Sequence, residues 1–245
     1  MLISKLIINA DDFGLTREVS HAIIDAHVNG VVTSTTLMGN CEKNVLVDAQ
    51  EASRKYPDLG IGVHLVLTKG QPILKTHKTI VDGLGKFKYK ADQFDESVDV
   101  NEVYEEFKAQ IERIAQVIEI THFDSHHHVH LDPLFQSVSK RLCKEFKIPM
   151  RWNKAKKFQY VYCSHGFYDE TATLQGLQEI LRKHHGLVDV MVHPGYEDDP
   201  FLDEISAYTS TRYEEYKVLT SQALKDFLVE HNIELVNYRF VKKTP

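Results

Sequence analysis

Short apolar runs rich in branched residues alternate along this chain with stretches whose apolar residues recur every three or four positions, and that alternation leaves few folds open. Leu6-Ile7-Ile8, residues 31–38, the Gly60-Ile61-Gly62-Val63-His64-Leu65-Val66-Leu67 run, residues 121–124 and residues 187–192 read as strands. Between them the helical period takes over. Thr16 can cap a helix with Val19, Ala22, Ile23 and Ala26 on one face and Gly30 at its end. Residues 44–55 are helical and stop before Pro57, and Val103, Phe107, Ile111, Ile114 and Ile118 mark a long amphipathic helix starting at Val100. Pro133 opens a further helix through Phe146, and Met150-Arg151-Trp152 reads as a short strand or its exit loop. Residues 174–183 and 222–230 are helical, the latter before a closing strand over 234–238. Only an excursion over 72–92 leaves the pattern, with a hairpin at 79–89 around Asp82-Gly83 and Gly85. Strands separated by helices pair in parallel, and a chain of 245 residues is long enough to curl such a sheet into a (β/α) barrel, expected here as one domain over 1–245.

A hydrophobic fraction of 42% with 26% charged residues supports a substantial core in a globular α/β protein. The formal charge of −6, without a long basic run, argues against nucleic acid or an anionic membrane surface as partner and leaves a small molecule. Nothing approaches the roughly 20 consecutive apolar residues of a membrane span, and the apolar start before Asn9 is too short for a secretion signal. Cys41, Cys143 and Cys163 lie far apart without CxxC spacing, which fits a reducing cytoplasm.

The polar residues that stand out fall at the carboxyl ends of the expected strands, the face on which α/β barrels assemble their sites. They are Asp11-Asp12 in Asn9-Ala10-Asp11-Asp12-Phe13-Gly14, His64, the Asp124-Ser125-His126-His127-His128-Val129-His130 cluster, Arg151, and His193 before Pro194-Gly195. Each has a blander reading. An Asp-Asp pair is commonly a turn or cap, His64 could be a core histidine, Arg151 a surface charge, and Trp152 either core or a platform for a sugar ring. Lys69, Lys75 and Lys78 could meet a phosphate but read first as a solvated loop. Convergence favours chemistry: imidazole is the commonest metal ligand, and a metal hydrolase uses one carboxylate on the ion and another to take a proton from water. An extended backbone through 124–130 would put His126, His128 and His130 on one side and His127 on the other, so not all four bind one ion. The others would support ligands, touch substrate or face solvent.

These blocks, together with Val32-Thr33-Ser34-Thr35-Thr36, Gly62-Val63-His64-Leu65-Val66-Leu67-Thr68, His122-Phe123-Asp124 and His193-Pro194, resemble the YdjC-type carbohydrate deacetylases in family order along most of the chain. The resemblance implies a distorted (β/α) barrel like that of polysaccharide deacetylases. It implies a divalent ion on Asp12, His64 and His126, with Asp11 as base, His193 as acid and Arg151 orienting Asp11. Magnesium follows from the resemblance, while two imidazoles and a carboxylate suit zinc equally. The implied reaction removes an N-acetyl group from an amino sugar or short oligosaccharide, and a homodimer is the expected assembly. Two rivals remain at this level, a metal-dependent glycosidase or phosphoglycosidase and a non-catalytic sugar-binding regulator.

Overall fold

The computed structural model describes residues 3–152 and 158–241. Its strands are β1 (Ile3–Phe13), β2 (Ser34–Met38), β3 (Gly60–Leu65), β4 (Phe123–Ser125), β5 (Tyr162–Ser164), β6 (Gly186–Val192) and β7 (Glu234–Leu235). Its α-helices are α1 (Arg17–Val28), α2 (Lys43–Lys55), α3 (Val100–Ala115), α4 (Gln136–Phe146), α5 (Leu174–Lys183), α6 (Pro200–Ile205), α7 (Ser210–Thr220) and α8 (Gln222–Glu230). All strands join one parallel sheet in the order β4-β3-β2-β1-β6-β5, with β7 beside the start of β1. β1 is central, and Leu6, Ile7, Ile8 and Ala10 are all fully buried, as a strand covered on both faces requires.

The sheet curls as the strand and helix alternation predicts, into the distorted barrel that the family resemblance implies. Among the described residues no strand ladder joins β4 to β5. Beyond β4, among the described residues, Met150 alone adds a rung, paired with Phe123, and across the seam Trp152 donates its backbone N–H to Cys163 Sγ (3.3 Å) and its indole Nε1 to Cys163 O (3.1 Å).

Departures from the sequence reading have local causes. β2 begins at Ser34 instead of residue 31 because the Val31 and Val32 amides donate to Leu219 O and Ala26 O, outside the sheet. The closing strand ends at Leu235, and Tyr238–Phe240 turns as a 3-10 helix whose Arg239 amide is accepted by the Asn237 side chain. Helices α6 and α7 are absent from the sequence reading. The inward positions of α7 are Arg212, Glu215 and Leu219, so two of the three carry charge and no apolar stripe announces the helix. Between β3 and α3, Val81 and Phe87 form an antiparallel bridge at the Asp82 turn. No described helix is long and apolar enough to cross a membrane.

The barrel interior is tightly filled. His122 is fully buried, stacks on Tyr238 (ring centroids 3.7 Å apart) and pairs through Nε2 with Asn9 Oδ1 at 2.9 Å. A Cβ on Gly62 would sit 2.6 Å from His122 Cε1 and 2.7 Å from its backbone O. Gly62→Ala is therefore expected to cost about 1–3 kcal/mol, read as a lower urea midpoint at unchanged slope. A midpoint equal to wild type would mean that His122 moves aside freely.

Candidate active site and metal centre

Adjacent strand residues point to opposite faces, so Asp11 and Asp12 can share a site only if the backbone turns between them. It does: Asp12 has φ 72°, and the β1–β2 register shifts between Ala10 and Phe13. Both carboxylates are 2% exposed. Asp12 Oδ1 lies 3.2 Å from His64 Nε2 and 2.9 Å from His126 Nδ1, and one donor atom from each of the three residues falls within 4.8 Å of the others. The other nitrogen of His64, Nδ1, is held by Asp124 Oδ1 at 2.7 Å, which leaves Nε2 to face Asp12. Carboxylate support of this kind fixes ligating histidines. Burial opposes charge on His64, but Asp124, Asp12 and Asp11 outweigh it and push its pKa up to about 10. Asp12 is likewise buried, yet His126 and Arg212 hold its carboxyl well below the usual range.

This cluster fits a divalent cation: mixed N and O donors converge, one histidine is buttressed, and the carboxylate is already ionised. A second set, Asp11, His64 and Asp124, also brings donors within 4.8 Å, but Arg151 occupies its carboxylates.

The histidine run is not extended. His126–Leu131 is a pair of 3-10 turns broken by a kink at His127 and His128, whose φ of 54° and 55° are left-handed, so the expected alternation of 126, 128 and 130 does not arise. Ser125 Oγ accepts the His130 amide at 2.9 Å and pairs with its ring, pulling the chain into a tight turn. His126 reaches Asp12. His130 is fully buried, and that burial pushes its pKa down to about 3, so it is a neutral structural residue. His127 Nδ1 meets Thr68 Oγ1 at 2.9 Å, while half-buried His128 is pushed down to about 4 by burial.

Arg151 is no surface charge. It is 1% exposed, grips Asp11 through two 2.8 Å bonds, and reaches Asp124 and Asp189 at 3.0 Å each. Burial would raise the Asp11 pKa, but Arg151 and then His64 overcome it and keep the carboxyl ionised well below the ordinary range. His193 stands half-buried at the same cavity, of about 520 Å³, which Asp11, Asp12, His64, His126 and Arg212 also line. The sequence-predicted set therefore converges.

Two residues missed in the sequence complete the site, both on α7. Arg212, 3% exposed, donates Nη2 to Asp12 Oδ2 at 2.6 Å, and fully buried Glu215 accepts the His193 amide and the Tyr208 hydroxyl. Of the loop lysines, Lys69 lines the same cavity and donates to Ile205 O at 2.7 Å across it, while Lys75 is tied within its own loop to Gln71 Oε1 at 3.1 Å.

The YdjC-like protein family model matches residues 5–230. This chain belongs to that family. A carbohydrate deacetylase from Brevibacillus brevis is 36% identical over 247 residues, covering 96% of this chain and 98% of the relative. One from Vibrio parahaemolyticus is 36% identical over 251 residues, covering 98% and 97%. Among solved structures, an Enterococcus faecalis protein provisionally named a cellobiose-phosphate cleavage protein superposes on this YdjC-like chain with TM-score 0.86 at 33% identity, covering 97% and 98%. A family 4 carbohydrate esterase from Streptomyces lividans, in complex with acetate, gives TM-score 0.53 at 10% identity, covering 100% and 98%, which marks a shared fold.

Proposed function

We propose that this protein is a metal-dependent hydrolase that removes the N-acetyl group from an amino sugar or short oligosaccharide, releasing acetate. The observation that carries the reading is the division of labour between neighbouring carboxylates: Asp12 lies against two imidazoles, while Asp11 is clamped by Arg151 with both oxygens engaged. The names of the Brevibacillus and Vibrio relatives support it.

Asp12, His64 and His126 would hold the ion, with magnesium favoured by family resemblance and zinc by the nitrogen donors. Such an ion polarises an amide carbonyl and acidifies a water. Asp11, ionised at any working pH, receives the proton of the attacking water. Arg151 favours the ionised form, so Asp11 stands ready in a fixed place to accept that proton. Arg151 holds that place. His193 delivers a proton to the departing nitrogen so that it leaves as an amine. Family resemblance supports a homodimer, and the three scattered cysteines support a cytoplasmic setting.

A glycosidase that works with two carboxylates flanking the bond uses one with a raised pKa to protonate the leaving oxygen. Asp11 and Asp12 are both shifted the other way, which weighs against glycosidic cleavage. Incubation with N,N′-diacetylchitobiose followed by product analysis is the test. Acetate with an intact disaccharide backbone is expected; monosaccharides without acetate would establish the glycosidase instead, and neither product from a broad panel of acetylated sugars would favour the regulator.

The raised His64 pKa has two consequences of defined sign. In the metal-free protein the folded value, about 10, exceeds the ordinary 6.5. The stability it contributes is thus complete below about pH 6.5 and fades as pH climbs toward 10. A ligating imidazole must be neutral, so loading Mn²⁺ near neutral pH should release a proton from His64, and apparent affinity should rise with pH. Calorimetry in buffers of different ionisation enthalpy reads this directly; zero proton release would show that His64 is already neutral.

A further inference from the structure

The aromatic surface that the cavity offers is not the tryptophan that stands out in the sequence. Trp152 spends its indole N–H on Cys163 O and lies edge-on to His128 at 4.8 Å, outside the cavity lining. Tyr168 lines the cavity and remains 43% exposed, while its neighbour Phe167 is fully buried and anchors the loop. One face of Tyr168 stacks on Tyr208, with centroids 4.3 Å apart and planes 8° from parallel. Its exposed surface is therefore the opposite face and the ring edge.

The backing ring is fixed. The Tyr208 hydroxyl donates to buried Glu215 and accepts the Asp169 amide at 3.1 Å. The Tyr168 amide is held by Thr171 Oγ1 at 3.2 Å, and Asp169 takes φ 51° to make that turn. His193 meets both rings edge-on, at 5.8 Å from Tyr168 and 5.6 Å from Tyr208. Around the same cavity stand polar groups able to meet hydroxyls: His127, His128, His165 and Ser206. An ordered aromatic face with a few polar groups around it is the composition of a small-molecule site that binds a ring with one apolar side.

We propose that Tyr168, stiffened from behind by Tyr208, is the platform on which a pyranose ring of the substrate stacks, beside the proposed proton donor His193. The inference rests on the deacetylase reading for its choice of a sugar, and it assigns the specificity-determining contact to the ring and not to the acetamide. It follows that a sugar lacking the acetyl group should also use the platform.

Calorimetric binding to the metal-loaded Asp11→Asn protein, with N,N′-diacetylchitobiose and with cellobiose as probes at millimolar concentration, separates the two ideas. Tyr168→Ala is expected to weaken both sugars by about tenfold, whereas Tyr168→Phe and Tyr168→Trp should keep affinity within about threefold, since the ring and not the hydroxyl is used. Equal affinity in wild-type and Ala backgrounds would overturn the platform, as would a loss in Tyr168→Phe as large as in Tyr168→Ala, or no binding of either sugar. If both sugars bind in this pattern but the wild-type enzyme releases no acetate, the deacetylase reading falls and the platform stands.

Discussion

Asp11→Asn should lower acetate release by about 10²- to 10⁴-fold, the range that a general base contributes, while leaving one Mn²⁺ bound per chain. The substitution keeps the size and plane of the side chain but removes both its charge and its capacity to accept a proton. Asn9 Nδ2 and both terminal nitrogens of Arg151 donate to the two Asp11 oxygens, so in the variant one amide nitrogen must face donors. Some stability will be lost, yet the ion-holding cluster of Asp12, His64 and His126 is untouched. Single-turnover acetate release, paired with a calorimetric Mn²⁺ titration, separates the two functions. Retention of more than about a tenth of wild-type turnover would be too much for a protein that has lost its base.

Arg151→Met should be the most destabilising single change in the site. The guanidinium is the shared cation of Asp11, Asp124 and Asp189, all at most 2% exposed, and Asp189 is further tied to the Tyr238 hydroxyl at 2.6 Å. Removing one partner of a buried ion network leaves uncompensated charge, at about 3–5 kcal/mol. Carboxylates stripped of their cation take up protons more readily, and Asp189 is already raised by burial even beside Arg151. The loss should therefore shrink as pH falls. Urea unfolding of the metal-free protein at two pH values measures it, and a loss below about 1 kcal/mol would mean the pocket is wetter than its geometry indicates.

The legible parts of the fold were those with an apolar period. Residues 174–183 and 222–230 coincide with α5 and α8 because their buried faces are made of leucine and phenylalanine. Helix α7 was invisible for the opposite reason, since it turns Arg212 and Glu215 inward. The Asp-Asp pair, His64 and the histidine cluster were legible as chemistry because such density at strand ends has few structural uses. Their geometry was not. The left-handed backbone at Asp12 accompanies the register shift inside β1, and that at His127 and His128 accompanies the hold of Ser125 on His130, neither of which an alternation rule anticipates. Arg151 illustrates the limit from another side: its surroundings carry no sharp motif, family resemblance alone gave it a role, and its three acidic partners come from β1, β4 and β6, far apart in sequence.

Anomalous diffraction from crystals loaded with Mn²⁺ tests most directly whether these distant segments make one cation site. A single strong peak per chain, bounded by Asp12, His64 and His126 and lost in His126→Ala, is the expected result. A peak elsewhere in the cavity, or none at saturating metal in a protein that still releases acetate, would contradict it.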